Sequence, residues 1–121
     1  SGVEAALAKA SAALKEDPTH NSIANRLATI YYLTKRYPAA IQILEQVVER
    51  NPQDSHAHLM MAWSLWVTGQ KERGREYAEI AERAGLRTPE ERQGLKDLKE
   101  RMKQEPTTGG GLLAPPSPAP R

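Results

Sequence analysis

Pro18 and Pro52 stand 34 residues apart, and the chain around them repeats at that interval. Sliding the sequence by this offset brings Leu27 onto Met61, Ala28 onto Ala62 and Tyr31 onto Leu65. It also aligns Ala6 with Ala40 and Gly74, Ala10 with Leu44 and Ala78, and Ala13 with Val47 and Ala81. Within each copy the apolar residues recur at i, i+3, i+4 and i+7, the stripe of one helical face. Small residues recur where two helix backbones must approach closely, and larger ones fill the gaps between them. The best copy runs from Ala24 to Pro52, with one stripe at Ala24, Leu27, Ala28 and Tyr31 and a second at Ala40, Leu44, Val47 and Val48. Two amphipathic helices joined by a tight turn and closed by a proline make one hairpin.

The punctuation places six helices. Residues 3–16 form the first, carrying Leu7, Ala10 and Leu14 on one face, and Asp17-Pro18 stops it because the residue before a proline is driven out of the helical region. Asn21 or Ser22 is expected to cap a helix over about 22–35. Arg36-Tyr37 reads as a turn, with Pro38 in the first turn of the next helix, where its missing N–H costs little, and that helix runs to about Arg50. Asp54 or Ser55 caps a helix over 55–68, and Gly69 suits the left-handed turn after it. A fifth helix over 71–84 ends at Gly85, and Thr88-Pro89-Glu90-Glu91 is a strong start signal for a sixth, to about Gln104. From Glu105 the composition turns to glycine and proline. Thr107-Thr108-Gly109-Gly110-Gly111 reads as a flexible linker and residues 112–121 as a Pro-rich tail favouring extended geometry.

A chain of 121 residues allows one domain, and one this size can bury about two thirds of its unfolded surface without staples. The absence of cysteine excludes disulfides, thiolate metal sites and cysteine nucleophiles. No apolar run approaches the roughly 20 residues of a membrane span. Ser1-Gly2 reads as the scar left when an expression tag is cleaved, so a native N-terminus with any export signal or anchor is expected to be missing, and the compartment is not legible.

These residues carry a resemblance to the tetratricopeptide repeat family, whose period is 34. Leu27-Ala28, Tyr31, Tyr37, Ala40-Ile41, Leu44, Val47 and Asn51-Pro52 carry it in one copy, and Met61-Ala62, Leu65, Gly69, Gly74, Ala78 and Ala81 in the next. Ala24 and His58 stand where the family often has Trp, Lys35 where a Gly is usual, and Leu86 in place of a closing Pro. The resemblance implies an all-α fold of antiparallel hairpins stacked as a short superhelix. One helical repeat domain is expected over residues 3–104: a partial repeat at 3–18, repeats at 21–52 and 55–86, and a capping helix at 88–104, followed by a tail at 105–121.

The resemblance further implies that the first helix of each hairpin lines a groove that binds extended peptides or a partner's helix. The implied groove residues are Asn25, Thr29, Tyr32 and Leu33 on one helix, with Ser22 beside them, and His56, Leu59, Trp63, Trp66 and Val67 on the next. Leu59, Trp63 and Trp66 share a face at i, i+4 and i+7, rotated away from Met61, Ala62 and Leu65. That helix is apolar on two sides and must bury both. Both tryptophans of the chain lie there, and Trp is a favoured binding anchor. The competing reading packs the indoles between neighbouring helices.

The expected function is a non-catalytic scaffold or adaptor binding a protein or peptide. No serine sits in a nucleophile motif, and Gly109 to Gly111 precede no helix and lack the lysine of a phosphate loop. His56 and His58 lie at i, i+2 and point about 200° apart, whereas helical metal pairs need i+3 or i+4, so they read as surface or groove histidines and no metal or cofactor is expected. Net charge is +2, but Arg92, Lys96, Lys99, Arg101 and Lys103 alternate with Glu90, Glu91, Asp97 and Glu100, the pattern of a solvated face rather than a phosphate-tracking stripe. The rival expectation is a self-assembly module, stacking through the uncovered face of residues 3–16 or through the Pro-rich tail reaching a groove.

Overall fold

A computed structural model describes residues 2–105; the Gly/Pro-rich stretch, with its linker, tail and groove-reaching expectations, lies outside the described residues. Among those residues there are six α-helices and no strand: α1 Gly2–Glu16, α2 Asn21–Leu33, α3 Tyr37–Arg50, α4 Ser55–Val67, α5 Lys71–Ala84 and α6 Pro89–Gln104. The chain divides into two units, Ser1–Leu86 and Arg87–Arg121.

In the first unit α1 packs on α2, α2 on α3, α3 on α4 and α4 on α5. The first helices of the two hairpins, α2 and α4, also meet directly, while the backbones of α1, α3 and α5 stay apart. Long side chains bridge that outer gap, with Arg36 to Glu4 at 3.0 Å and Arg73 to Glu45 at 3.6 Å. Helices that touch on one side and are spaced on the other put α2 and α4 on the inner side of the array. The main core joins Ala24 and Ala28 of α2, Ala40, Leu44 and Val47 of α3, and Ala57, Met61 and Leu65 of α4. A smaller cluster of Leu7, Ala10 and Leu27 holds α1 to α2.

The 34-residue period extends to the hydrogen bonds of the turns. After α2, Arg36 N–H donates to Tyr31 O and Lys35 N–H to Tyr32 O; after α4, Gln70 N–H donates to Leu65 O and Gly69 N–H to Trp66 O. Both are Schellman motifs, which place one residue in the left-handed region. That residue is Gly69 (φ 90) in one copy and Lys35 (φ 64) in the other. Thr34 and Thr68 donate their hydroxyls to Ile30 O and Ser64 O, closing each helix in the same way. Thr34, Lys35 and Thr68 therefore fall outside the helices that were expected to include them, and Tyr37 opens α3 rather than standing in the turn.

Asp54 caps α4 by accepting from Ala57 N–H at 3.0 Å, and Ser55 is the first helical residue. At the equivalent position before α2 the cap is His20, whose Nδ1 accepts from Ile23 N–H at 3.3 Å, and not Asn21 or Ser22. The period explains the correction, because His20 and Asp54 occupy the same place in consecutive copies. Asn21 is instead used laterally, accepting from Arg50 Nε at 2.9 Å.

At Gly74 two helices approach closely. A Cβ there would lie 3.0 Å from Ala62 O and 3.2 Å from Trp66 N, both backbone atoms. In the second unit α6 opens with a full capping box: Thr88 Oγ1 accepts from Glu91 N–H, and Glu91 accepts from Thr88 N–H. Its Leu95, Leu98 and Met102 share one face.

Candidate functional site

The inner helices α2 and α4 differ in how much polar surface they carry. On α2 the residues that reach solvent on the inner side are Ser22, Arg26, Thr29 and Leu33, spaced i, i+4, i+7 and i+11. Ser22 and Arg26 are exposed, Thr29 is half-buried, and Leu33 is 72% exposed, the most open large apolar side chain described. The same positions on α4, 34 residues on, are His56, Met60, Trp63 and Val67, all half-buried. α2 and α4 touch, and the two rows hold equivalent register places on them.

The residues expected to line this face divide accordingly. Thr29, Leu33, His56, Trp63 and Val67 stand on the accessible rows. Leu59 and Trp66, at 5% and 2% exposed, do not. They lie on one face of α4 with Ala62, and it is the backbone of Ala62 and Trp66 that Gly74 of α5 approaches. Lys71 closes over the Trp66 ring with Nζ 5.1 Å from its centroid, and the indole Nε1 has no hydrogen-bond partner. The two indoles thus have different surroundings, Trp66 inside the fold and Trp63 reaching its surface.

Asn25 and Tyr32 lie between the rows and are committed to the fold. Asn25 Nδ2 donates to Asp54 Oδ2 at 2.9 Å, so Asp54 caps its own helix with one oxygen and ties α2 to it with the other. The Tyr32 ring meets Tyr37 edge-on, with centroids 5.5 Å apart. Thr29 donates its hydroxyl back to Asn25 O at 2.9 Å.

The expected face omits Met60 and Arg26, which complete the two rows. Spacing alone contains them: Met60 is four residues after His56 and three before Trp63, and Arg26 holds the equivalent place on α2. What hides them is the choice of which neighbour of the core stripe faces solvent, which tertiary packing decides.

His58, expected as a surface or groove residue, is buried. It occupies the position of Ala24 in the preceding copy, at the core. Its Nε2–H donates to Pro52 O at 2.8 Å and its ring stacks on Tyr77 at 5.7 Å. The imidazole is thereby a packing element that ties α4 to the loop before it and to α5. Among the described residues no group of three His, Asp or Glu side chains is placed to hold a metal ion, and no helix is long and apolar enough to cross a membrane.

A search of curated proteins finds no match to the chain. A family model for the tetratricopeptide repeat matches residues 3–76, which is more than half of it. Paired helices repeating at 34 residues, with the same turn chemistry in each copy, agree with that match: the chain belongs to the tetratricopeptide repeat family.

Proposed function

We propose that this chain is a non-catalytic scaffold that binds a peptide or helix of another protein across the accessible rows of α2 and α4. Tetratricopeptide repeats generally mediate protein–protein interaction. The observation that carries the reading here is that α4 has no polar face. Nine of its 13 residues are buried, and the row it turns to solvent is His56, Met60, Trp63 and Val67 rather than charged residues. An apolar row on a surface helix that its own fold leaves partly uncovered marks an interaction surface.

Two tryptophan variants test it. Trp63→Ala should weaken peptide capture by about 2 kcal/mol or more while the helical melting curve changes little, as expected for an interface anchor. Trp66→Ala should instead cost about 3–5 kcal/mol of fold stability, as for a core aromatic. Circular dichroism melts alongside a peptide-binding titration separate the two effects. Equal losses of stability in both variants would make Trp63 a core residue and end the reading.

A further inference from the structure

Read along the chain, the charges of α6 alternate as on a solvated face; wound into a helix, they separate. Arg92, Lys96, Lys99 and Lys103 are spaced i, i+4, i+7 and i+11, so they form one row within about 60° of each other around the axis. All four are exposed. The row lies between the buried stripe of Leu95, Leu98 and Met102 and a flank that carries Glu90, Asp97 and Glu100. On that flank Gln93 Nε2–H donates to Asp97 Oδ1 at 2.8 Å. Lys103 approaches Glu100 at 3.7 Å, an exposed pair of little strength. Arg92 and Lys99 each interact with another residue as well, so the row is defined by placement and not by a lack of partners. Arg101, the remaining cation of α6, falls outside it.

By register the row stands where other copies bury residues. Thr88 caps α6 at the place where Asp54 caps α4 and His20 caps α2, so α6 is a first helix by position. Arg92, Lys96 and Lys99 then take the places of His58, Ala62 and Leu65, and of Ala24, Ala28 and Tyr31. On α4 these places meet the second helix of the hairpin: His58 stacks on Tyr77, and Ala62 lies against Gly74. The register places of a second helix after α6, 105–118, hold Gly109-Gly110-Gly111 and Pro115-Pro116, a sequence of low helical propensity. A terminal helix needs a polar outer face. Mixed charges would supply one, whereas a row of one sign adds an attraction for anions.

The chemistry of the row selects among anionic partners. It contains no apolar or aromatic side chain, so it offers charge without area to bury. A docked protein segment draws most of its affinity from an apolar centre. A helix held at a bilayer surface sinks Trp, Phe or Leu side chains into the headgroup boundary. A nucleic-acid backbone needs cations alone, because each neutralised phosphate releases a counterion. At about 1.5 Å per residue the row is roughly 16.5 Å long, the axial length of about five nucleotides in one strand of a duplex. α6 has no aromatic residue on which a base could stack, which favours a duplex over a single strand.

We propose that the Arg92, Lys96, Lys99 and Lys103 row of α6 binds the phosphate backbone of a nucleic-acid duplex without preference for sequence. The row shares no residue with the α2–α4 face and stands or falls without it.

The test is the fluorescence anisotropy of a short labelled duplex of mixed sequence, titrated with the 121-residue chain at several salt concentrations. Four phosphate contacts give a slope of about −3.6 in log K against log salt, a loss of roughly a hundredfold in affinity between about 50 and 200 mM. Lys96→Gln should make that slope shallower by about one, and Lys96→Gln with Lys99→Gln by about two. Lys96→Arg, which keeps the charge, should bind as the unaltered chain does. Arg101→Gln removes the same charge from the same helix outside the row and should leave the slope unchanged. All three positions are exposed, so circular dichroism melts of the variants should coincide. An unlabelled duplex of unrelated sequence should compete equally well. Equal effects of Lys96→Gln and Arg101→Gln would overturn the row as the site, and unequal competition would overturn its indifference to sequence. No duplex binding at low salt would overturn the proposal outright. In that case capture of the chain by phosphatidylserine vesicles would assign the row to a bilayer, and capture by polyglutamate to an acidic protein.

Discussion

Lys35 shows how a repeat can keep a turn while losing the residue that makes it easy. The turn after α2 needs a left-handed residue, because the two Schellman hydrogen bonds form only when the chain reverses there. Gly69 supplies that conformation in the next copy with no Cβ to crowd the carbonyl. Lys35 adopts it at φ 64 and carries a steric cost of about 1 kcal/mol. The Lys35 side chain makes no hydrogen bond or ion pair among the described residues, so no such bond offsets the strain. Lys35→Gly should therefore stabilise the chain by roughly 0.5–1 kcal/mol, the relief of strain exceeding the added entropy of the unfolded glycine. A thermal melt should move up by a few degrees. An unchanged or lower midpoint would mean that the lysine side chain contributes to the fold more than its geometry suggests.

At the scale of elements the decisive contact is α4 against α5. Its closeness depends on Gly74, since a methyl group would meet the Ala62 carbonyl oxygen at 3.0 Å and the Trp66 nitrogen at 3.2 Å. These are backbone atoms of a helix already buried along most of its length, so neither can turn aside. The register equivalent in α3 is Ala40, fully buried, where the hairpin partner stands far enough away to admit the methyl. Two effects oppose each other in Gly74→Ala. Helix propensity favours alanine by about 1 kcal/mol. Forcing two packed helices apart costs about 1–3 kcal/mol. The clash should win, giving a net loss of about 1–2 kcal/mol in a denaturant titration, and a gain would show that α5 shifts without resistance. This contact also explains where reading the sequence stops. The apolar period of α4 marks two stripes, but only packing in the fold decides that Leu59 and Trp66 are buried while Met60 and Trp63 reach solvent. The caps follow the same logic: His20 is not an obvious capping residue until the 34-residue offset lays it on Asp54.

Across the first unit as a whole, each helix meets only its near neighbours, so stability is approximately a sum of local terms and need not be uniform. The sequence makes the repeat legible because periodicity and turn residues are local properties. It leaves the binding face half-legible because exposure is set by contacts between copies. The most unequal pair of helices is α1 and α4. Ala6 of α1 is exposed, while the residues in its register place, Ala40 and Gly74, are buried, because no first helix lies against α1 among the described residues. Two residues of α1 are buried, Leu7 and Ala10, against nine of α4. The ion pair from Glu4 to Arg36 is solvent-exposed on both sides and adds at most about 1 kcal/mol. Opening α1 therefore separates the small Leu7–Ala10–Leu27 cluster and lifts Leu14 off the main core, whereas opening α4 breaks contacts with α2, α3 and α5 at once. Hydrogen exchange followed by mass spectrometry should find α1 amides exchanging about ten- to a hundredfold faster than those of α4, a gap of roughly 1.4–2.8 kcal/mol in opening free energy. The comparison should hold at low protein concentration, where encounters between copies are rare. If α1 were as protected as α4, its outer face would be covered in solution. Protection that rose with concentration would identify the cover as a second copy of the chain, laid on the Ala6 face in the place a first helix takes in the other repeats.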